Sequence, residues 1–194
     1  NLGFTFQELG QLKSAVTSYE KAIAIKPDYA EAYNNLGNAL YDLGQLDAAV
    51  KIYKKALAIK PDYSDAHYNL GGTLKDLGQL DDAVKFYKQA LAINPDNSDA
   101  HNNLGVVFQE LNQLDAAVKS FEKAIAIKLD FAEAHNNLGN VFMELGQLDA
   151  SIKSFEKTLA IKPDFAVAHF KLSSMKQYTA SDPHIAQMQS LLST

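Results

Sequence analysis

Four histidines, His67, His101, His135 and His169, stand 34 residues apart. Imidazole can ligate a metal or pass a proton near neutral pH. Asparagines keep the same interval: Asn1, Asn35, Asn69, Asn103 and Asn137. Each amide offers two donors and an acceptor oxygen with two lone pairs. A row of them can pair with the backbone of an extended peptide whatever its side chains are. Acids form two further rows, Glu31, Asp65, Asp99 and Glu133, and Glu8, Asp42, Asp76, Glu110 and Glu144. Carboxylates do acid–base work in dissimilar pairs, and none of these departs from the common spacing to mark such a pair. The chain has no Cys, so it has no disulfide, thiolate metal site or Cys nucleophile.

The elements that carry these side chains follow from Gly and Pro. Gly3, Gly37, Gly71, Gly105 and Gly139 form one ladder of period 34. Gly10, Gly44, Gly78 and Gly146 form another, with Asn112 on its missing rung; Gly72 alone is off both. Pro27, Pro61, Pro95 and Pro163 form a third, with Leu129 in the gap. A fixed period over nearly the whole chain specifies a repeat architecture. Within residues 30–63, Ala32, Tyr33, Leu36, Gly37, Leu40 and Leu43 make an apolar or small stripe at helical spacing. Gly44 supplies the left-handed residue that closes this helix, and Asn112 is the next best residue for that conformation. Ala49, Val50, Tyr53, Ala56, Leu57 and Ile59 make a second stripe, stopped by Pro61. Asp28 with Glu31, and Asp62 with Asp65, have the spacing of capping boxes. The unit is helix, turn, helix, turn, and stacking successive pairs buries what neither helix can bury alone.

Four units show the pattern aromatic-x2-Leu-Gly-x2-aromatic, Ala-x3-aromatic, Pro. It is carried by Tyr33, Leu36, Gly37, Leu40, Ala49, Tyr53 and Pro61, then by His67, Leu70, Gly71, Leu74, Ala83, Tyr87 and Pro95. It continues through His101, Leu104, Gly105, Phe108, Ala117 and Phe121, and through His135, Leu138, Gly139, Phe142, Phe155 and Pro163. Leu129 for Pro and Ser151 for Ala are mild departures. The pattern resembles that of the tetratricopeptide repeats (TPR). The resemblance implies an all-α, right-handed superhelical solenoid. With the first position at Ala30, full repeats are expected at 30–63, 64–97, 98–131 and 132–165. Residues 1–29 read as a truncated repeat, and 166–194 as a degenerate repeat ending in a capping helix around Ile185, Met188, Leu191 and Leu192.

In this family the first helix of each repeat lines a concave groove. Positions 2, 6, 9 and 13 share one polar stripe of that helix. The expected peptide-binding residues are Asn35, Asn69, Asn103 and Asn137 at position 6, Asn34, Asn102 and Asn136 with Tyr68 at position 5, and Asn38 and Asn140 at position 9. Tyr41 joins them, as do Asp42, Asp76, Glu110 and Glu144 at position 13. The arrangement is similar to the asparagine ladder in the TPR superhelix of O-GlcNAc transferases. Duplication of one ancestral unit would also repeat a copied Asn. The position 2 acids stabilise a helix N-terminus by roughly 0.3–1 kcal/mol, whereas the position 13 acids lie where the helix dipole disfavours them. A binding role and pairing with nearby Lys both remain open for that row. The implied partner is a protein or peptide, extended and neutral to basic. Position 5 carries Asn or Tyr, and no Arg is present, so the Lys/Arg carboxylate grip of chaperone-binding TPR domains is missing.

Composition narrows the rest. All 18 basic residues are Lys, against 23 acids, for a net charge of −5. An acidic, Arg-free chain is a poor binder of nucleic acid or anionic membranes. No run of 18 apolar residues is present. Before residue 166, Lys75 is the one Lys on a first helix, so acids gather on the inner face and Lys on the outer. The recurring His are expected as packing residues, because a separation of roughly 8–10 Å between packed helices cannot bring them to one ion with ligand distances of about 2 Å. Gly71-Gly72 belongs to a helix and is no phosphate loop. No metal, cofactor or catalytic residue is expected. The expected function is a non-catalytic interaction scaffold in a soluble chain, with the cytoplasm the favoured compartment. Two alternatives stand beside it. Residues His169–Leu192 resemble the junction of bacterial proteins whose TPR array precedes a sulfotransferase or glycosyltransferase domain, which implies a substrate-recruiting segment. Leu2, Phe6 and Leu9 would form an open end face suited to end-to-end self-association.

Overall fold

The computed structural model describes residues 2–175, together with Ile185 and Met188. The described residues form eleven helices and no strand. They are α1 (Leu2–Glu8), α2 (Leu12–Ile25), α3 (Ala30–Asp42), α4 (Leu46–Ile59), α5 (Ser64–Asp76), α6 (Leu80–Ile93), α7 (Ser98–Glu110), α8 (Leu114–Ile127), α9 (Ala132–Glu144), α10 (Leu148–Ile161) and α11 (Ala166–Met175). The chain divides into two compact units, Asn1–Val107 and Phe108–Thr194, the division falling within α7. In the first unit α1 packs on α2, α3 on α4 and α5 on α6, and α3 also meets α5. In the second, α9 packs on α8 and α10, and α10 on α11. No helix among the described residues is long and apolar enough to cross a membrane. Ile185 and Met188 are helical and half-buried. The rest of the expected C-terminal cap lies outside the described residues.

The first helices α1, α3, α5, α7 and α9 end in the same way. Gly44 adopts φ 73°, and Gly10, Gly78 and Gly146 have φ of 70–72°. Asn112, on the rung without Gly, has φ 56°. The Gly44 amide donates to the Tyr41 carbonyl (2.8 Å) and the Gln45 amide to the Leu40 carbonyl (2.9 Å). This crossed pair satisfies carbonyls that the helix end would leave bare. The second helices end at Ile25, Ile59, Ile93 and Ile161, two residues before their Pro. Ile59, Ile93 and Ile127 are exposed, so the last apolar residue of the expected second-helix stripe faces outward.

The helix starts differ from the expected capping boxes. Tyr29 and Tyr63 occupy the N-cap positions of α3 and α5, and neither helix has a side-chain cap bond there. Asp28 and Asp62 stand one residue too early to reach the free amides of the first turn. The aromatic N-cap residue is instead held by a cation. Lys60 Nζ lies 4.8 Å from the Tyr63 ring centre, and Lys26 Nζ 5.3 Å from that of Tyr29. Lys128 over Phe131 and Lys162 over Phe165 repeat the contact. In one turn both partners are exchanged together, for Asn94 and Asn97. There the Asn97 carboxamide takes over the capping role and accepts the Ala100 amide (2.9 Å).

In four helix pairs among the described residues a glycine is set against a ring: Gly3 with Tyr19, Gly37 with Tyr53, Gly71 with Tyr87 and Gly139 with Phe155. Tyr19, Tyr53, Tyr87, Phe121 and Phe155 are buried, as are Ala15, Ala49, Ala83 and Ala117. Gly37 backs onto the Tyr53 ring so closely that an added Cβ would fall 2.5 Å from Cε1. Ser151 stands in an Ala position with its hydroxyl satisfied, donating to the Gly139 carbonyl (2.8 Å).

Candidate functional site

In the first unit, the polar residues of α3 and α5 are spent partly on holding successive first helices together. Asn69 Nδ2 donates to Asn34 Oδ1 (3.1 Å), and Asn103 Nδ2 to the Tyr68 hydroxyl (3.0 Å). Position 6 of one repeat thus straps to position 5 of the repeat before it. A second strap links positions 12 and 13. Gln7 Nε2 donates to Asp42 (2.8 Å), and the Tyr41 hydroxyl donates to Asp76. These neutral donors give the position 13 acids a structural role that the helix dipole alone does not supply. Asn34 is buried, while Asn35, Asn38 and Asn69 are half-buried. The position 5 amide therefore lies beneath the strap, with the position 6 amide at the surface.

Between these helices the face opens into a cavity of about 210 Å³. Its lining includes Asn38, Tyr41, Asp42, Tyr68, Asn69 and Asp76 from the expected set. Asn103, also expected, lines it too, together with residues that the sequence did not assign to the groove: Tyr53, Gly72, Thr73, Lys75 and Tyr87. Gly72 occupies position 9, where the preceding repeat has Asn38. Its missing side chain leaves the space open, and the nearest atom to an added Cβ is the Tyr87 hydroxyl at 3.4 Å. The Tyr53 hydroxyl donates to Asn38 Oδ1 (2.7 Å), which fixes that amide at the cavity wall.

The phenols report the electrostatics of this face. The Tyr41 pKa is pushed up to about 12, first by its hydrogen bond to Asp76, then by burial and by the charges of Asp76 and Asp42. Burial pushes Tyr53, Tyr68 and Tyr87 up as well. A phenol whose pKa is higher in the folded than in the unfolded state stabilises the fold below the unfolded value of 10. That contribution is lost as pH rises through the folded value. Stability should thus fall between pH 10 and about 12. In an ultraviolet titration, Asp76→Asn should move Tyr41 ionisation back toward the ordinary value, and an unmoved curve would separate Tyr41 from Asp76.

The second unit carries related groups. Gln109 Nε2 donates to Glu144, continuing the 12-to-13 strap. Glu110 is exposed at the end of α7. Asn136 is buried, as Asn102 is in the first unit, and Asn137 and Asn140 are half-buried. Phe155 replaces the tyrosine found at Tyr53, so the donor that would meet the position 9 amide is missing. Accordingly Asn140 Oδ1 is buried without a hydrogen-bond partner among the described residues, as is Asn136 Oδ1.

The histidines anchor turns. Nε2 of His67, His101 and His169 lies 2.8, 3.0 and 2.7 Å from the carbonyl oxygens of Pro61, Pro95 and Pro163. His135 meets Leu129 at 3.3 Å. A nitrogen facing a carbonyl must carry the proton, which fixes the tautomer. No group of three or more His, Asp or Glu side chains positioned to hold a metal occurs among the described residues. On the face of α1 and α2, Leu2 and Leu9 are exposed and Phe6 half-buried. Leu2, Phe6, Ala22 and Ile25 border a depression of about 680 Å³ together with Lys13 and Lys21.

Comparison with known proteins bears on the whole array. A model described as TPR repeat matches residues 3–44, and models described as tetratricopeptide repeat match 28–96, 62–130 and 132–165. No curated protein matches the chain. Among solved structures it is similar to MamA, with 26% identity, 86% of this chain and 98% of that one covered, and a TM-score of 0.79. It is similar to TTC0263, a thermophilic TPR protein of Thermus thermophilus, with 25% identity, 90% and 95% covered, and a TM-score of 0.67. YrrB, described as a TPR protein with an unusual peptide-binding site, shares the fold at 23% identity, with 87% of each chain covered and a TM-score of 0.75.

Proposed function

The chain belongs to the tetratricopeptide-repeat family, and we propose that it is an interaction scaffold that binds an extended peptide segment across the first helices of its repeats. The observation that carries this reading is the cavity at Gly72, opened where a repeated Asn side chain is absent and walled by tyrosines, amides and carboxylates. The half-buried amides of Asn35 and Asn69 flank it on the same helices. Each strapped Asn has used one donor or acceptor and keeps others for a partner's backbone. The peptide-binding site ascribed to YrrB, a relative in fold, points the same way. Acids on this face favour a neutral to basic segment.

The test replaces Asn35, Asn69 and Asn103 together with Ala and measures affinity for peptides selected on the natural chain from a random library. Each lost hydrogen bond contributes about 0.5–1.5 kcal/mol, so affinity should drop roughly tenfold or more. A circular-dichroism melt checks that the variant is folded. Unchanged affinity sinks the amide-groove reading.

A second reading rests on the depression between α1 and α2. Its apolar floor and exposed Leu2 and Leu9 suit the surface of another copy. Sedimentation over a concentration series should then show association that Leu2→Lys with Leu9→Lys abolishes; a monomer throughout removes this reading.

A further inference from the structure

The cavity at Gly72 carries more negative than positive charge. Asp42 and Asp76 bring two carboxylates to it, and Lys75 brings one ammonium, leaving a net charge of −1. The Tyr41 hydroxyl hydrogen is committed to Asp76 and that of Tyr53 to Asn38, so both phenol oxygens retain only lone pairs for an incoming group. Asp42 is met by the neutral amide of Gln7. Lys75 Nζ lies 3.2 Å from Asp76 Oδ1, with both side chains 31% exposed. Adjacent residues of a helix do not face one another, and partly exposed ion pairs are held weakly, by about 0–1 kcal/mol. Lys75 is therefore a cation that another cation can displace. It is also the one Lys on a first helix before residue 166. The raised pKa of Tyr41, to which both carboxylates contribute, reports the same negative field.

We infer that this cavity is a specificity pocket for one basic side chain, Lys or Arg, of the bound segment. Its charged head would sit at Asp42 and Asp76, and its stem along the tyrosine rings. Aromatic faces and carboxylates together favour a cation over any neutral side chain of the same length. Lys75 holds the Asp76 end of the pocket until the partner's cation replaces it. The inference rests on the peptide-groove reading and adds to it the identity of the anchoring side chain.

The experiment selects peptides from a random library on the full chain, then compares each selected peptide with versions carrying Arg, Lys or norleucine at one place. Selected peptides should share a basic residue, and norleucine there should cost tenfold or more in affinity. The Arg and Lys versions separate a planar two-bond grip from a point charge. Asp42→Asn with Asp76→Asn, nearly isosteric, should abolish the discrimination. Lys75→Met should tighten the basic peptide several-fold more than it tightens the norleucine version. Peptides that bind without a basic residue overturn the inference and leave the groove standing. So does a basic residue indifferent both to the paired Asn substitutions and to Lys75→Met. Enrichment of no peptide at all overturns the groove reading, and the inference with it.

Discussion

Gly37→Ala should destabilise the fold by about 1–3 kcal/mol, although Ala is the better helix former. Ala in place of Gly inside a helix ordinarily gains roughly 0.5–1 kcal/mol. Here the new methyl would lie 2.5, 2.7 and 2.8 Å from three atoms of the Tyr53 ring. The ring is 2% exposed, and its hydroxyl is tied to Asn38 at 2.7 Å, so it has little room to retreat. Overpacking of this kind costs about 1–3 kcal/mol, occasionally more. Gly71→Ala provides the internal comparison. Its methyl would lie 3.1–3.2 Å from the Tyr87 ring, whose hydroxyl has an amide partner of its own in Asn103. At that distance the ring need shift by only a few tenths of an ångström, and the helix gain offsets most of the cost. Thermal melts should therefore rank Gly37→Ala well below Gly71→Ala. Equal melting temperatures would show that the Tyr53 ring yields to the methyl as readily as the Tyr87 ring does.

Gly72→Leu should cut peptide affinity by tenfold or more while leaving the fold as stable as before or slightly firmer. An added Cβ meets nothing nearer than the Tyr87 hydroxyl at 3.4 Å, an ordinary contact. Leu is a good helix former and Gly a poor one. The branched side chain would extend into the cavity of about 210 Å³ and take the space that a partner's side chain needs. Gly72→Ala, which fills much less of it, should lose little binding. The pair thus separates occupancy of the cavity from any change in helix stability. Retained affinity in the Leu variant would mean that the bound segment does not enter the cavity.

The period of 34 made the fold legible, because Gly at four of the five left-handed turns and Pro after four of the five second helices suit the backbone geometry there. Asn112 was legible for the same reason: few other residues tolerate φ 56°. The site was less so. Asn34 and Asn35 are identical in kind and adjacent, and only the rotation of α3 against α5 decides that the first is buried and the second half-buried. The partners of Asp42 and Asp76 lie 35 residues back, at Gln7 and Tyr41, a pairing that needs the spacing of successive first helices. Gly72 stood out as the one glycine off the ladders. Its meaning depends on Tyr53 and Tyr87, which reach it from two other helices. The helix starts misled because Asp28 and Asp62 are good capping residues in themselves, and the Lys–aromatic contact that fixes the true N-cap is not a helical spacing rule.

A peptide bound in the proposed groove lies across α3 and α5 at the Gly72 cavity. Backbone amide shifts of the isotopically labelled chain, followed while a library-selected peptide is added, test it most directly. The largest shifts should fall at Asn38, Tyr41, Gly72, Thr73 and Asn103, and they should vanish in Gly72→Leu. Shifts confined to the outer second helices, at Lys54, Lys55 and Lys88, with those five amides unmoved, would contradict it.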